Sequence, residues 1–138
     1  MTGEKPDFSG TWRFNPGRSR LEISPPEETT ITIVHNEPAF RMVRTHVMQG
    51  RTDTFTMEVT TDGKDVLLAR DRMTIHARVY WEGLILVFDS TLEMEGTNVM
   101  NVVRYQLEPG GTTLIARESL RGERRSYDNV WFLDKATG

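Results

Sequence analysis

Residues 73–94 read MTIHARVYWEGLILVFDSTLEM, and this stretch decides the fold class. On both sides of the Glu82-Gly83 turn signal, apolar residues recur at a period of two, as in a β-strand with one buried face. A two-residue hairpin loop at Glu82-Gly83 places Val79 opposite Leu86, and both side chains then point to the same apolar face.

The same pattern continues in both directions along the chain. From Thr29 to Leu133, strand-like runs of roughly 7–11 residues are separated by turn signals, and every hairpin folded at these signals presents its apolar residues to one common face. The turn signals are Glu37-Pro38, Gln49-Gly50, Asp62-Gly63, Asp71-Arg72, Glu82-Gly83, Glu95-Gly96, Glu108–Gly111 and Gly122-Glu123. With a first strand at Ser9–Asn15, the pattern predicts one all-β domain, an up-and-down antiparallel β-barrel of about ten strands whose first and last strands are adjacent.

Two segments lie outside the alternating pattern. Residues 1–8 are expected to form a flexible N-terminal arm of a single domain that spans residues 1–138. The Pro16–Glu28 segment is broken by prolines and is too short for a helical hairpin, although Arg18–Ile23 could form one helical turn.

Composition excludes several classes of function. The chain has 17 Lys and Arg against 20 Asp and Glu, a net charge of −3, and shows no basic stripe for a nucleic acid. No run approaches the roughly 18 apolar residues of a membrane-spanning helix. The absence of cysteine excludes disulfides, thiolate metal sites and thiol catalysis. Because the N-terminal residues lack an apolar signal-peptide core, we expect a cytoplasmic protein.

The start of the first strand carries a family resemblance. It reads Asp7-Phe8-Ser9-Gly10-Thr11-Trp12. A Gly-x-Trp in the first strand of a small antiparallel barrel resembles the calycin superfamily of lipocalins, fatty-acid-binding proteins and avidins. The Phe-Ser-Gly-Thr-Trp start and the Thr60–Lys64 turn look most like the intracellular fatty-acid-binding branch. The resemblance implies a lipid-binding barrel, and a bacterial lipocalin-like protein is the nearest description.

The chain departs from that branch in two places. Pro16–Glu28 is too short for the helix-turn-helix lid that the family places after its first strand. The family's carboxylate-binding Arg-x-Tyr would fall at Trp131-x-Leu133, where neither residue type is present. The groups that bind an acid are therefore expected elsewhere in the barrel.

Two arginines are candidates for that role. The predicted register places Arg44 and Arg70 on either side of Phe55, on one inward-facing row near the end with the 49–50 and 71–72 turns. A guanidinium in this position could bind a ligand carboxylate or phosphate through two hydrogen bonds. Alternatively, both side chains extend to the rim or pair with Glu118 across the interior.

A second inward row contains polar residues on neighbouring strands. The predicted register aligns Ser90, Asn101, Glu118 and Tyr127. These side chains either line a hydrated cavity or form a closed hydrogen-bond network that joins Glu118 to Arg125.

Histidines offer weaker candidates. His46 lies opposite Asp53 and could be an oriented general base, but a solvated cross-strand pair at the hairpin end explains it equally simply. His35 occupies a similar place at the other end, and His76 faces outward. We expect no metal site, no cofactor and no catalytic residue.

The leading hypothesis is non-catalytic binding of a small hydrophobic or amphiphilic molecule inside the barrel. Its head would lie near Arg44 and Arg70, and its tail would point toward Trp12. The predicted ligand-binding residues are Arg44, Arg70, Phe55, Met42, Met57, Phe88, Ser90, Asn101, Tyr105, Glu118 and Tyr127.

Two alternatives stay open. One is an isomerase or hydrolase that uses the barrel mouth, with His46 or Glu118 as base. The other is a structural or protein-interaction barrel without a ligand. Apolar residues on the outer face could be covered by residues 16–28 or form the interface of a weak homodimer of an otherwise monomeric protein. These outward residues are Val87, Ile115, Val130 and Phe132.

Overall fold

The computed structural model describes residues 5–70 and 72–136, apart from the side chains of Arg70 and Met94. These residues form one antiparallel sheet of ten strands that curves into a nearly closed barrel. They contain no helix, and so none that could span a membrane. The strands are β1 (Gly10–Phe14), β2 (Glu28–Asn36), β3 (Ala39–Met48), β4 (Arg51–Thr60), β5 (Val66–Arg70), β6 (Met73–Glu82), β7 (Ile85–Met94), β8 (Thr97–Leu107), β9 (Thr113–Arg121) and β10 (Ser126–Lys135).

The strand order confirms an up-and-down barrel. It runs β4-β3-β2-β1-β10-β9-β8-β7-β6-β5, so the first and last strands are adjacent as predicted. Trp12 pairs with Lys135 and Phe14 with Leu133 in the ladder between β1 and β10.

The predicted hairpin at Asp62-Gly63 is wrong. Within the described residues no ladder joins β4 to β5, which are the two edges of the sheet. The chain between them makes its hydrogen bonds elsewhere: the Thr61 N–H donates to the Pro38 carbonyl, and the Gly63 N–H donates to the Val79 carbonyl, each at 2.9 Å. These bonds direct the connection toward the β2–β3 turn and β6, so β5 starts away from β4.

Four hairpins have the predicted register. Their pairs include His46 opposite Asp53 in β3–β4 and Leu92 opposite Val99 in β7–β8, and the β2–β3 and β5–β6 ladders also agree. Three ladders, β6–β7, β8–β9 and β9–β10, are shifted by two residues. A shift of two keeps each side chain on its predicted face, because strand side chains alternate with a period of two.

The position of glycine within the turn explains the first shift. At Glu95-Gly96 both residues have positive φ, 50° and 80°, and glycine is second, as in a type I′ turn. Gly83, with φ 63°, instead comes first, in the turn Gly83-Leu84, as in a type II′ turn.

The other two shifts have similar causes in the last two turns. The Glu108 N–H donates to the Thr113 carbonyl at 3.0 Å, so the loop is residues 109–112 rather than Glu108–Gly111. The Gly122 N–H donates to the Arg125 carbonyl at 2.9 Å, so the turn closes around residues 123–124. In both cases the loop lies one residue closer to the C-terminus than predicted. The residue pairs of the two strands are therefore shifted by two.

Phe8, assigned by sequence to the N-terminal arm, is fully buried. Its ring stacks on His35 and Trp81, with centroids 5.9 and 6.0 Å away. Its N–H donates to His35 Nδ1 at 3.2 Å, and its carbonyl accepts from Trp12 Nε1 at 2.9 Å. Residues 5–8 thus include a core residue, while residues 1–4 lie outside the described part of the chain.

Residues 16–28 form no helical turn at Arg18–Ile23. Arg20 and Val130 exchange two backbone hydrogen bonds of 2.8 Å, so the segment continues the edge pairing of β1 along β10. The Arg18 guanidinium lies 4.4 Å from the centre of the Phe132 ring. The segment therefore covers Val130 and Phe132, which is one of the two interpretations left open for the outer apolar row.

The buried residues concentrate in one half of the barrel, toward the turns at 37–38 and 83–84. This core is one continuous cluster of aliphatic and aromatic side chains. It comprises Phe8, Trp12, Ile31, Ile33, Phe40, Met42, Val59, Val79, Leu86, Phe88, Tyr105, Leu114, Ala116 and Leu133.

We expect Phe8→Ala to lower the free energy of unfolding by about 3–5 kcal/mol, the usual cost of removing a buried ring. Urea unfolding followed by tryptophan fluorescence measures this value. Val34→Ala, at a position that is 57% exposed on β2, is the control and should cost less than about 1 kcal/mol. A loss for Phe8→Ala no larger than that of the control would show that the Phe8 packing contributes little.

Candidate functional site

The half of the barrel away from Phe8 contains a cavity, which we call the apolar chamber. Its volume is about 200 Å³. Both edge strands contribute to its wall, Phe55 and Met57 from β4 and Leu68 from β5. The full lining is Met42, Arg44, Phe55, Met57, Leu68, Met73, Ile75, Phe88, Ser90, Leu92, Asn101, Val103 and Tyr105.

A smaller polar chamber of about 70 Å³ adjoins it. Arg44, Asn101, Val103 and Tyr105 line both spaces and form their junction. The full lining of the polar chamber is Thr29, Ile31, Arg44, His46, Asn101, Val103, Tyr105, Ala116, Glu118, Trp131 and Leu133.

Most residues of the predicted ligand site line the apolar chamber, and Glu118 lines the polar one. Tyr127 lines neither chamber; it pairs with Leu120, and the Arg125 guanidinium lies 5.1 Å from its ring centre. The prediction for Arg70 concerns a side chain outside the described part, although its backbone pairs with Met73 in β5. The predicted members that line the apolar chamber are Met42, Arg44, Phe55, Met57, Phe88, Ser90, Asn101 and Tyr105.

Arg44 has a buried polar atom without a hydrogen-bond partner among the described residues. Its guanidinium lies 5.4 Å from the centre of the Phe55 ring, on the neighbouring strand. Its Nε is buried, and the described residues provide no hydrogen-bond acceptor for it. A buried donor without an acceptor costs about 1–3 kcal/mol, more when charged, so a group that occupies the cavity and accepts from Nε–H would be favoured.

Glu118 is held by three neutral donors. Its Oε1 accepts from Asn129 Nδ2 and Trp131 Nε1, and its Oε2 accepts from Asn101 Nδ2, all at 3.0 Å. The predicted network that links Glu118 to Arg125 is therefore replaced by a network among β8, β9 and β10.

The register shift accounts for this difference. Glu118 lies opposite Val103 and Asn129, not opposite Asn101 and Tyr127 as predicted. The amide of Asn101 reaches it diagonally, within the range of cross-strand contacts on one face of a sheet. Ser90 and Asn101 remain paired as predicted.

Tyr105 is buried at the junction of the two chambers. Among the described residues its hydroxyl contacts one acceptor, the weakly accepting Met42 Sδ, at 4.0 Å. Burial raises the pKa of Tyr105 far above its usual range, because the phenolate would be desolvated; Arg44 opposes this shift and Glu118 adds to it. The phenol is therefore neutral and can donate to a ligand throughout the physiological range.

The two inward histidines have different environments. His46 lines the polar chamber, its Nδ1 lies 2.7 Å from Thr29 Oγ1, and its ring stacks on Trp131 at 5.9 Å. A catalytic role for His46 stays a prediction. Among residues 5–70 and 72–136, no three His, Asp or Glu residues are grouped to hold a metal ion.

His35 is a core residue rather than a solvated one. Since its Nδ1 accepts from the Phe8 N–H, its Nε2 carries the proton that is donated to Glu37 Oε1, 2.8 Å away. Burial opposes ionisation of Glu37, but hydrogen bonds from His35, Thr61 and Trp81 outweigh it and hold the pKa of Glu37 below its usual value. These hydrogen bonds connect Phe8 through His35 to Glu37 in the β2–β3 turn. The cavity lies in the opposite half of the barrel.

Several lining residues were not singled out from sequence. Thr29 is two residues from Ile31, and Leu133 is two residues from Trp131, so each pair points to the same inner face of its strand. Extending this alternation to the strand ends could have identified Thr29 and Leu133 as lining residues. The role of Trp131 as a donor to Glu118 depends on the β9–β10 register, which the turn prediction missed.

The ten-stranded barrel has a fold of the fatty-acid-binding and lipocalin type. A secretory abundant heat soluble protein of Ramazzottius varieornatus superposes with a TM-score of 0.69 at 9% identity, covering 99% of this chain and 100% of that one. Heat soluble protein 4 of the same organism gives 0.63 at 12% identity, covering 99% of each chain. Zebrafish ileal bile acid-binding protein, complexed with cholic acid, gives 0.57 at 15% identity, covering 94% of this chain and 98% of that one.

No protein-family model and no curated protein matches the sequence. At these identities the solved structures show a shared fold. What the cavity binds must be argued from its own residues.

We expect Tyr105→Phe to make the barrel more resistant to alkali. The pKa of Tyr105 is higher in the folded protein than in the unfolded chain, where it is near 10. The contribution of the buried, protonated phenol to the free energy of unfolding is therefore complete below about pH 10 and is lost as the pH rises above 10 toward the folded-state pKa. Removal of the hydroxyl removes this loss. The test is unfolding at pH 8 to 12 followed by circular dichroism, with Tyr80→Phe as control; equal alkaline midpoints for parent and Tyr105→Phe would contradict the prediction.

Proposed function

We propose that the barrel binds a small amphiphilic carboxylic acid without chemical conversion. The observation that carries the proposal is the buried Nε–H of Arg44 at the wall of a largely apolar cavity, for which the described part of the chain provides no acceptor. A carboxylate is the group that best satisfies a guanidinium, since it accepts two charge-assisted hydrogen bonds in the plane of the donor.

The neighbouring groups favour the same head group. The Tyr105 hydroxyl, which has only a sulfur contact, can donate to a carboxylate oxygen near Arg44. Ser90 and Asn101 add two polar side chains to the lining of the same chamber. A few convergent polar groups in an apolar cavity are typical of a small-molecule site.

The volume of the apolar chamber limits the size of the tail. A cavity of about 150 Å³ is known to hold benzene, so the 200 Å³ of this chamber suits one aromatic ring or a short alkyl chain. Cholic acid, bound by the zebrafish protein, is an acid of the same general type but much larger.

The tail must lie along the apolar chamber rather than toward Trp12. Trp12 is completely buried in the core and is not among the residues that line either chamber. Met57, Leu68 and Ile75 instead provide the apolar wall beyond Arg44. The ligand reaches this wall through the gap between β4 and β5, which no ladder closes in the described structure.

We expect 3-phenylpropanoate and hexanoate to bind the parent protein and Arg44→Gln to weaken both by about 1.5–3 kcal/mol, the value of a hydrogen bond to a charged group. Titration calorimetry at neutral pH measures this loss. The neutral analogue 3-phenylpropan-1-ol should lose less, because it lacks the charge. Arg70→Gln tests the second predicted cation in the same way.

Arg41→Gln is the matched control. Arg41 lies on the same strand, points to the exterior and pairs with Glu58 at 3.1 Å. Equal affinities of the acids for the parent, Arg44→Gln and Arg41→Gln would rule out Arg44 as the anion-binding group. The absence of binding by any acid would remove the proposal altogether.

A further inference from the structure

We infer that the polar chamber selects acids that carry a hydrogen-bond donor on the carbon next to the carboxylate, a hydroxyl or an ammonium group received by Glu118. This inference rests on the proposed function and adds a specificity to it. It concerns the polar chamber, which an unsubstituted fatty or aromatic acid would leave unoccupied.

The first argument is the remaining capacity of Glu118. A carboxylate offers about four acceptor positions, two on each oxygen. Oε1 is fully used by Asn129 and Trp131, whereas the hydrogen bonds of the described residues give Oε2 only Asn101. The open position therefore belongs to Oε2, on a side chain that lines the polar chamber.

The second argument is the separation of the two charges. Arg44 and Glu118 line the same chamber of about 70 Å³, yet within the described structure they form no ion pair at 4.0 Å or less. Glu118 is fixed by donors on β8 and β10, and Arg44 stacks over Phe55 on the opposite wall. A cation and an anion thus line a common space without direct contact.

The third argument is the order of the groups along the cavity. Arg44 lies at the junction of the two chambers, and Glu118 lies only in the polar one. With the tail in the apolar chamber and the carboxylate at Arg44, a substituent on the adjacent carbon is directed into the polar chamber. A volume of 70 Å³ exceeds what one water molecule needs and accepts a small polar group.

A matched ligand series tests the inference on the unaltered protein. The probes are 3-phenylpropanoate, 2-hydroxy-3-phenylpropanoate as separate enantiomers, and phenylalanine, which differ only in the substituent beside the carboxylate. We expect at least one substituted acid to bind about tenfold more tightly than 3-phenylpropanoate, the effect of one added hydrogen bond to a charged group. A gain for the hydroxy acid as well as for phenylalanine indicates recognition of a donor; a gain for phenylalanine alone indicates recognition of its charge.

Glu118→Gln shows whether the preference arises from this carboxylate. The amide oxygen must face Asn129 and Trp131, so the amide nitrogen takes the place of Oε2 and opposes a ligand donor. The ratio of affinities between substituted and unsubstituted acids should fall to within about twofold, the limit at which a hydrogen bond of ordinary strength is no longer detectable. Glu58→Gln, an exposed change on β4, should retain the ratio of the parent.

The outcomes separate the two proposals. Binding of 3-phenylpropanoate with no gain for any substituted acid overturns the inference and leaves the proposed function standing. Binding of none of the acids overturns both. Retention of the full preference in Glu118→Gln overturns the assignment to Glu118; if that variant fails to fold in a melting experiment, the ligand series on the parent still decides the specificity.

Discussion

The ladder between β1 and β10 is the interaction on which the barrel depends. Because β4 and β5 are not joined in the described structure, the sheet has two free edges, and the β1–β10 ladder is the one that joins strands distant in sequence. Without this short ladder, β1–β4 and β5–β10 would be two separate sheets that do not enclose an interior. Additional hydrogen bonds extend it: the Asn15 N–H donates to the Phe132 carbonyl, and the Ala136 N–H donates to the Thr11 carbonyl, each at 2.8 Å. Trp12 is buried directly behind this junction.

The two halves of the interior have opposite roles. In the half toward the turns at 37–38 and 83–84, buried residues such as Phe8, Trp12 and Leu86 exclude water and contribute to the hydrophobic stabilisation. The other half contains a cavity and a guanidinium with an unsatisfied donor, both of which cost stability. The packed half allows the barrel to tolerate this cost, as is common where a protein keeps a site ready for a ligand.

Sequence could predict the strand pattern and the face of each side chain, but not every register. Parity was reliable because a one-residue slip would expose the apolar set of a whole strand. A two-residue shift has no such penalty, so the β6–β7 register depended on whether Gly83 came first or second in its turn. The missing β4–β5 ladder depends on hydrogen bonds of Thr61 and Gly63 to distant carbonyls, which no local pattern reveals.

The same distinction applies to the candidate site. Arg44 was recognised because the alternation of its strand places this charged side chain on the apolar inner face. That inference depends on the face of the side chain and not on which residue lies opposite it. The partners of Glu118 were missed because they depend on two shifted ladders and on Trp131, an aromatic residue whose polar Nε1–H was not considered. Phe8 was missed because it precedes the first strand and shows no alternation.

The separation of Arg44 from Glu118 follows from how each is held. Glu118 is bound by donors of β8 and β10, and a move toward Arg44 would leave the Asn129 amide and the Trp131 indole without acceptors. Arg44, for its part, lies over the ring of Phe55, and a move toward Glu118 would give up that contact. Both charges are thus retained by their own walls, and neither must be reorganised when a ligand enters. Groups fixed in this way bind at a lower entropic cost than groups that must first be freed and ordered, which is the advantage of a preorganised site.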